Sequence, residues 1–179
     1  MTRRMFALIT VLAVVIGLNM YGTANAAGAV TLRSTATIVA DGTTFTVARP
    51  AGIANGDVMV GALSINGGGA VTAPAGWTLI GHTESLGVVE LWTYYRVAGA
   101  AEPASFTWTT TNGAAGTAGI AAYVGADTTS PIIGFSSATD GGGATQATVP
   151  AVASTGTGVS LLFLTVDGSF SGTVTYPPG

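Results

Sequence analysis

The chain has 179 residues, enough for one ordinary domain, and carries 27 Gly, 28 Thr and 30 Ala but only 13 charged side chains. It has no Cys and no Lys, and its one His is His82. These counts exclude a disulfide framework, a thiolate zinc site and a cysteine nucleophile. Five Arg against eight acids exclude a basic nucleic-acid surface. Low charge with 48% hydrophobic residues argues against disorder, and abundant Thr, Val and Gly point to strands and turns.

The first 26 residues read as a signal peptide, expected to be a helix. Arg3 and Arg4 supply the positive start, Met5 to Leu18 is apolar apart from Thr10 and Gly17, and Ala24-Asn25-Ala26 fits the cleavage pattern. Positive charge holds the start inside, the apolar stretch enters the translocon, and small side chains fit the peptidase. Thr2-Arg3-Arg4-Met5-Phe6 also resembles a twin-arginine export motif, so the export route stays open. A retained anchor is the alternative, but the stretch is short against the ~20 apolar residues that a span needs. The expected mature chain is a single domain over 27–179 with three Arg, eight acids and a net charge of −5. So sparse a charge suits an extracellular protein, or one that sits against copies of itself. Contact with the membrane is expected only through the signal segment.

Beyond residue 29 the chain reads as strands separated by turns. Val30 to Ile38 alternates, which puts Val30, Leu32, Ala36 and Ile38 on one face. Asp41-Gly42 signals a turn before a strand over Thr44 to Val47. Asp57 to Ile65 is apolar on both faces and predicts a central strand. Trp77 to Thr83 and Val88 to Val97 follow as a hairpin. Further strands are expected over Ser105 to Thr110, Thr117 to Val124, Ile132 to Ser136, Thr145 to Val149 and Val159 to Val166. Ala114 to Ala122 is Ala-rich, but Gly116, Thr117, Gly119 and Ile120 weaken a helix there. The fold class is therefore all-β, an antiparallel β-sandwich of jelly-roll type.

In the hairpin, one register puts Trp77 beside Val97 and Leu79 beside Tyr95. Its other face then carries Thr78 by Arg96, Ile80 by Tyr94, His82 by Trp92 and Glu84 by Glu90. A faint internal repeat relates Gly69 to Gly76 with Gly172 to Gly179. The first copy runs on into a strand after Trp77, whereas the second stops. The domain is thus expected to end short or to be completed by another chain.

Gly56-Asp57-Val58-Met59-Val60, Ala73-Pro74-Ala75-Gly76-Trp77, Tyr94-Tyr95-Arg96-Val97-Ala98, Phe106-Thr107-Trp108 and Gly119 to Tyr123 carry a resemblance in their order and spacing. The stretch from Ala36 to Gly179 resembles a β-sandwich module of secreted bacterial surface proteins and of phage tail or virion proteins. The resemblance implies a structural or adhesive role and brings no catalytic residues with it.

Chemistry is scarce. No nucleophile elbow or zinc-binding helix motif occurs, and no cofactor or metal is expected. His82 is the only candidate base for a serine triad, and mid-strand it reads better as a polar strand residue. Glu84 and Glu90 could form a glycosidase-like pair if they faced each other at about 5 Å. Asp140 and Asp167, each before Gly, read as turns rather than as calcium ligands. An enzyme is therefore not expected. Trp92 and Tyr94, flanked by His82, Glu84, Glu90 and Arg96, offer an aromatic face for sugar rings, unless they are core. Trp77 and Trp108 are assigned to the core. The leading expectation is a secreted structural or adhesive subunit that self-associates or joins another surface or virion protein. In it, Val30, Leu32, Ala36 and Ile38 form a strand donated to the next subunit of a filament. A glycan-binding module is the alternative.

Overall fold

A computed structural model of the chain describes residues 13–15, 29–67, 69–85, 87–139, 150–152 and 158–163. They form eight strands: β1 (Ala13–Val15), β2 (Thr31–Ala48), β3 (Val58–Asn66), β4 (Val71–Thr72), β5 (Thr78–Ser85), β6 (Val89–Val97), β7 (Ser105–Val124) and β8 (Ser160–Leu162). No helix occurs among the described residues, so the fold is all-β as expected.

Six strands make one antiparallel sheet in the order β2-β7-β3-β6-β5, with β4 pairing to β7. β1 and β8 pair separately. β3 lies between β7 and β6 and is buried on both faces, as its two-sided apolar pattern predicts. Its odd positions Met59, Leu63 and Ile65 join one core with Phe45, Val47, Trp77, Tyr94, Phe106 and Trp108. On the opposite face, Val60 packs with Ala121 and Tyr123 under Val159, Leu161 and Phe163.

The first core forms because the β2–β7 ribbon folds back. Trp108 and Ile120 lie on one strand, and fully extended chain would separate them by roughly 40 Å. Yet Gly61 pairs with Ile120, and a Cβ on Gly61 would lie 3.1 Å from the Trp108 ring. The strand therefore bends sharply. The bend sits where β2 and β7 lose register, Gly42 opposing Ala114 and Thr44 opposing Thr109. Gly42 has φ of 140°, a conformation that suits glycine.

This bend corrects the turn expected at Asp41-Gly42. The glycine interrupts the strand without reversing it, so Thr31 to Ile38 and Thr44 to Val47 belong to one strand. Likewise Ser105 to Thr110 and Thr117 to Val124 are one strand, continuous through the Ala-rich stretch.

A bulge corrects a second expectation. Leu32 opposes Tyr123 and Ser34 opposes Ala122, which leaves Arg33 as an extra residue. One inserted residue reverses the facing of everything beyond it. Ala36 and Ile38 therefore pack against the first core, while Val30 packs against the second and Leu32 opposes Tyr123 there. The four residues do not share a face. Nor is their strand free for donation here, because β2 is paired with β7 of its own chain.

The hairpin register holds over half its length. His82 pairs with Trp92 and Glu84 with Glu90, but Leu79 opposes Tyr94 and Thr78 opposes Tyr95. Ile80 is the extra residue and packs into the second cluster rather than beside Tyr94. Residues 131–139 contain no regular structure, so the strand expected over Ile132 to Ser136 is absent. The expected strand over Thr145 to Val149 and the second repeat copy lie outside the described residues. So does the signal segment, apart from Ala13–Val15, which are extended.

Candidate functional site

The β5–β6 hairpin carries every side chain expected to bind a ligand. Cross-strand pairing brings His82 beside Trp92, and their rings stack 3.7 Å apart at 15°. The Trp92 indole Nε1 donates to Glu90 Oε2 at 2.9 Å, and His82 Nε2 lies 3.4 Å from the same oxygen. Glu90 is only 8% exposed, so this carboxylate is held by its neighbours rather than by water. Trp92 is half-buried against the first core.

Glu84 opposes Glu90 across the hairpin, but the two carboxylates have different surroundings. Glu84 is exposed and its Oε1 lies 3.6 Å from the position of a Cβ on Gly87, at the turn. The Glu90 carboxylate is engaged by the indole and the imidazole. Among the described residues no group of three or more His, Asp and Glu could hold a metal ion.

Tyr94 is not on an exposed face. It is 4% exposed, packs 6.2 Å from Trp108, and burial pushes its phenol up to about 12. The folded-back ribbon covers this face of β6, and the side chains next to Tyr94 in sequence carry no sign of that distant cover. Arg96 is also occupied. Its Nε and Nη2 donate to the two Glu102 oxygens at 2.9 and 3.0 Å, and its Nη1 donates to the Ala75 carbonyl. Glu102 in turn accepts from the Gly99 amide at 2.6 Å. This arrangement ties the approach to β5 to the loop after β6. The structure thus brings His82, Trp92 and Glu90 together and leaves Glu84 beside them. It takes Tyr94 into the core and Arg96 into a structural ion pair. Trp77 and Trp108 are core, as expected.

A cleft elsewhere on the hairpin was not legible in the sequence. A cleft of about 400 Å³ lies between β5–β6 and the segment after β7, lined by Leu79, Ile80, Tyr95, Pro131, Ile132 and Phe135. The Phe135 ring occupies the space a side chain at Gly81 would need. A glycine mid-strand was the available signal, since it marks a close approach by another group.

The two outer strands of the sheet differ. β5 carries a bulge at Ile80, then Gly81, His82 and Glu84, and Phe135 overlies it. Bulges and charges are the ordinary means of guarding an edge. β2 runs for 18 residues with two charges, Arg33 and Asp41. Between them Ser34 to Ala40 has no charge, Gly or Pro. Among the described residues no strand pairs with its outer side. Val39 on this strand is 76% exposed.

Comparison of the chain with protein families, with curated proteins and with solved structures finds no match.

Proposed function

We propose that this protein is a secreted structural or adhesive β-sandwich subunit whose work is association through its sheet edge. The observation that carries the reading is the β2 edge, long, nearly uncharged and without a partner among the described residues. Edges of that composition recruit other strands unless charge, Pro or a covering element prevents it. The fold reading that accompanies it takes the folded-back part of the β2–β7 ribbon, with β4, as the second layer of a sandwich over β3, β6 and β5. The signal-like start and the sparse charge support export. The resemblance to modules of secreted surface and virion proteins points to the same role.

The state of the polar side chains also supports a structural role. Arg33, Arg96, Asp57, Glu90 and Glu102 are bound to one another or to neighbouring groups within the fold. The glycan reading has less support, because Tyr94 is core and Trp92 is half-buried beneath His82. Sedimentation of the purified protein over a hundredfold range of concentration, roughly, tests the proposal. The expected result is a reversible rise in mass with concentration. A protein that stays monomeric and folded throughout contradicts it.

A further inference from the structure

We infer that Asn112 is a site of spontaneous covalent modification: its side-chain amide is lost through a cyclic imide with Gly113, leaving aspartate and isoaspartate, and Thr110 promotes the ring closure. The chemistry goes beyond the edge association proposed above and does not depend on it.

The chain has three Asn-Gly pairs, at Asn55, Asn66 and Asn112. In each, the following amide nitrogen can attack the Asn carboxamide, because glycine puts no side chain in the way. The fold restrains the first two. The Gly56 amide donates to the Ala98 carbonyl at 2.9 Å, so its nitrogen is engaged. Asn66 is held as extended strand between Val89 on one side and Ala115 on the other. Asn112 has neither restraint. Where the β2–β7 ribbon bends, Gly42 opposes Ala114 and Thr44 opposes Thr109, so on the β2 side Thr110 to Gly113 stand opposite Thr43 alone. Asn112 and Gly113 have no cross-strand partner among the described residues. Both are exposed, and the Cβ position of Gly113 lies in open space.

Thr110 adds an active element. Its Oγ1 donates to the Asn112 carbonyl oxygen at 2.6 Å, and the residue is only 7% exposed. That carbonyl belongs to the peptide whose nitrogen must react. Base removes the Gly113 N–H proton, and the negative charge spreads onto the Asn112 oxygen. A buried hydroxyl already aimed at that oxygen stabilises the anion. Gly113 N then forms a bond to Asn112 Cγ, the Cγ–Nδ2 bond breaks, and ammonia leaves with the proton that the base had taken. Water next adds to either carbonyl carbon of the ring. Breaking the bond from N to Cγ gives aspartate with the main chain unchanged. Breaking the bond from N to the Asn112 main-chain carbonyl carbon gives isoaspartate, whose main chain runs through the former side chain. Either product puts a new carboxylate at the exposed bend of the ribbon.

Peptide mapping by mass spectrometry follows the three Asn-Gly pairs while the purified protein stands in mildly alkaline buffer, folded and in urea. The expected result is that Asn112 converts first in the folded protein and that the three pairs converge in urea. Thr110→Val should slow conversion of Asn112 roughly tenfold, the factor that one hydrogen bond to a charged oxygen supplies, and only in the folded protein. Thr110→Ser keeps the hydroxyl and should retain the wild-type rate. Gly113→Ala, whose Cβ has room, should nearly stop the conversion with the fold kept. Faster or equal conversion at Asn55 or Asn66 in the folded protein overturns the inference. So does a folded Thr110→Val that converts Asn112 at the wild-type rate.

Discussion

Arg33 Nε lies 2.6 Å from Asp57 Oδ2, and its Nη2 donates to Oδ1 at 3.1 Å, so the residue extruded by the β2 bulge is anchored by a fork to the loop before β3. Asp57 is 4% exposed and also accepts from the Ala54 amide at 2.8 Å. The bulge therefore has a partner that fixes its position, and with it the facing of the whole edge strand.

Removing Arg33 leaves a buried carboxylate without its counter-charge. Arg33→Ala should lower stability by roughly 2–4 kcal/mol, somewhat under a fully buried pair because the Arg side chain is 31% exposed. Asp57→Ala added to it should cost less than the two single changes together, since the pair is already broken. Urea unfolding followed by tryptophan fluorescence measures both.

The aromatic hairpin gives a second test. Trp92→Ala should cost about 2–4 kcal/mol, because it removes a ring packed on the core and frees both His82 and Glu90. A fully stable Trp92→Ala that has lost binding to a glycan array would return the aromatic face to the surface.

Gly116 faces the backbone of β3. A Cβ there would meet the Ser64 carbonyl oxygen and would lie 2.7 Å from Ile65 Cγ2. The carbonyl belongs to the central strand and cannot swing aside, so Gly116→Ala should destabilise by at least about 1–3 kcal/mol. Gly113→Ala, with open space at its Cβ, should change stability far less. Thermal melts of the two variants make the comparison.

Alkaline pH tests the burial of Tyr94. Its phenol rises from an ordinary value of 10.0 to about 12 through burial, and Tyr123 rises for the same reason. The unfolded chain then loses these protons at lower pH than the folded one. Stability is full below pH 10, and falls as pH rises toward about 12. Each group contributes a slope of at most ~1.4 kcal/mol per pH unit in that window. Tyr94→Phe should flatten much of the slope, read from urea midpoints across the range.

What the sequence revealed and what it concealed divide along one line. β3 was legible because burial on both faces leaves a continuous apolar run from Val58 to Leu63. Half of the hairpin register was legible because His82, Glu84, Glu90 and Trp92 alternate with period two. The bulges at Arg33 and Ile80 were not legible. An extra residue reveals itself only through its partner, and Asp57 and the second cluster lie far along the chain. Asp41-Gly42 announces a local break, but a reversal and a bend use the same residues. Tyr94 looked polar-facing because its neighbours Trp92 and Arg96 alternate with charges, while its cover arrives from Trp108 on the folded-back ribbon. Ile132 to Ser136 has the composition of a strand but overlies the hairpin as irregular chain, with Phe135 on Gly81.

The most direct measurement of the central claim is amide hydrogen exchange along β2 as a function of protein concentration. Edge pairing predicts that amides within Ser34 to Ala40 become protected as concentration rises, while those of the guarded β5 edge do not change. Exchange in Ser34 to Ala40 that is the same at every concentration, in a protein that nevertheless associates, would contradict the account.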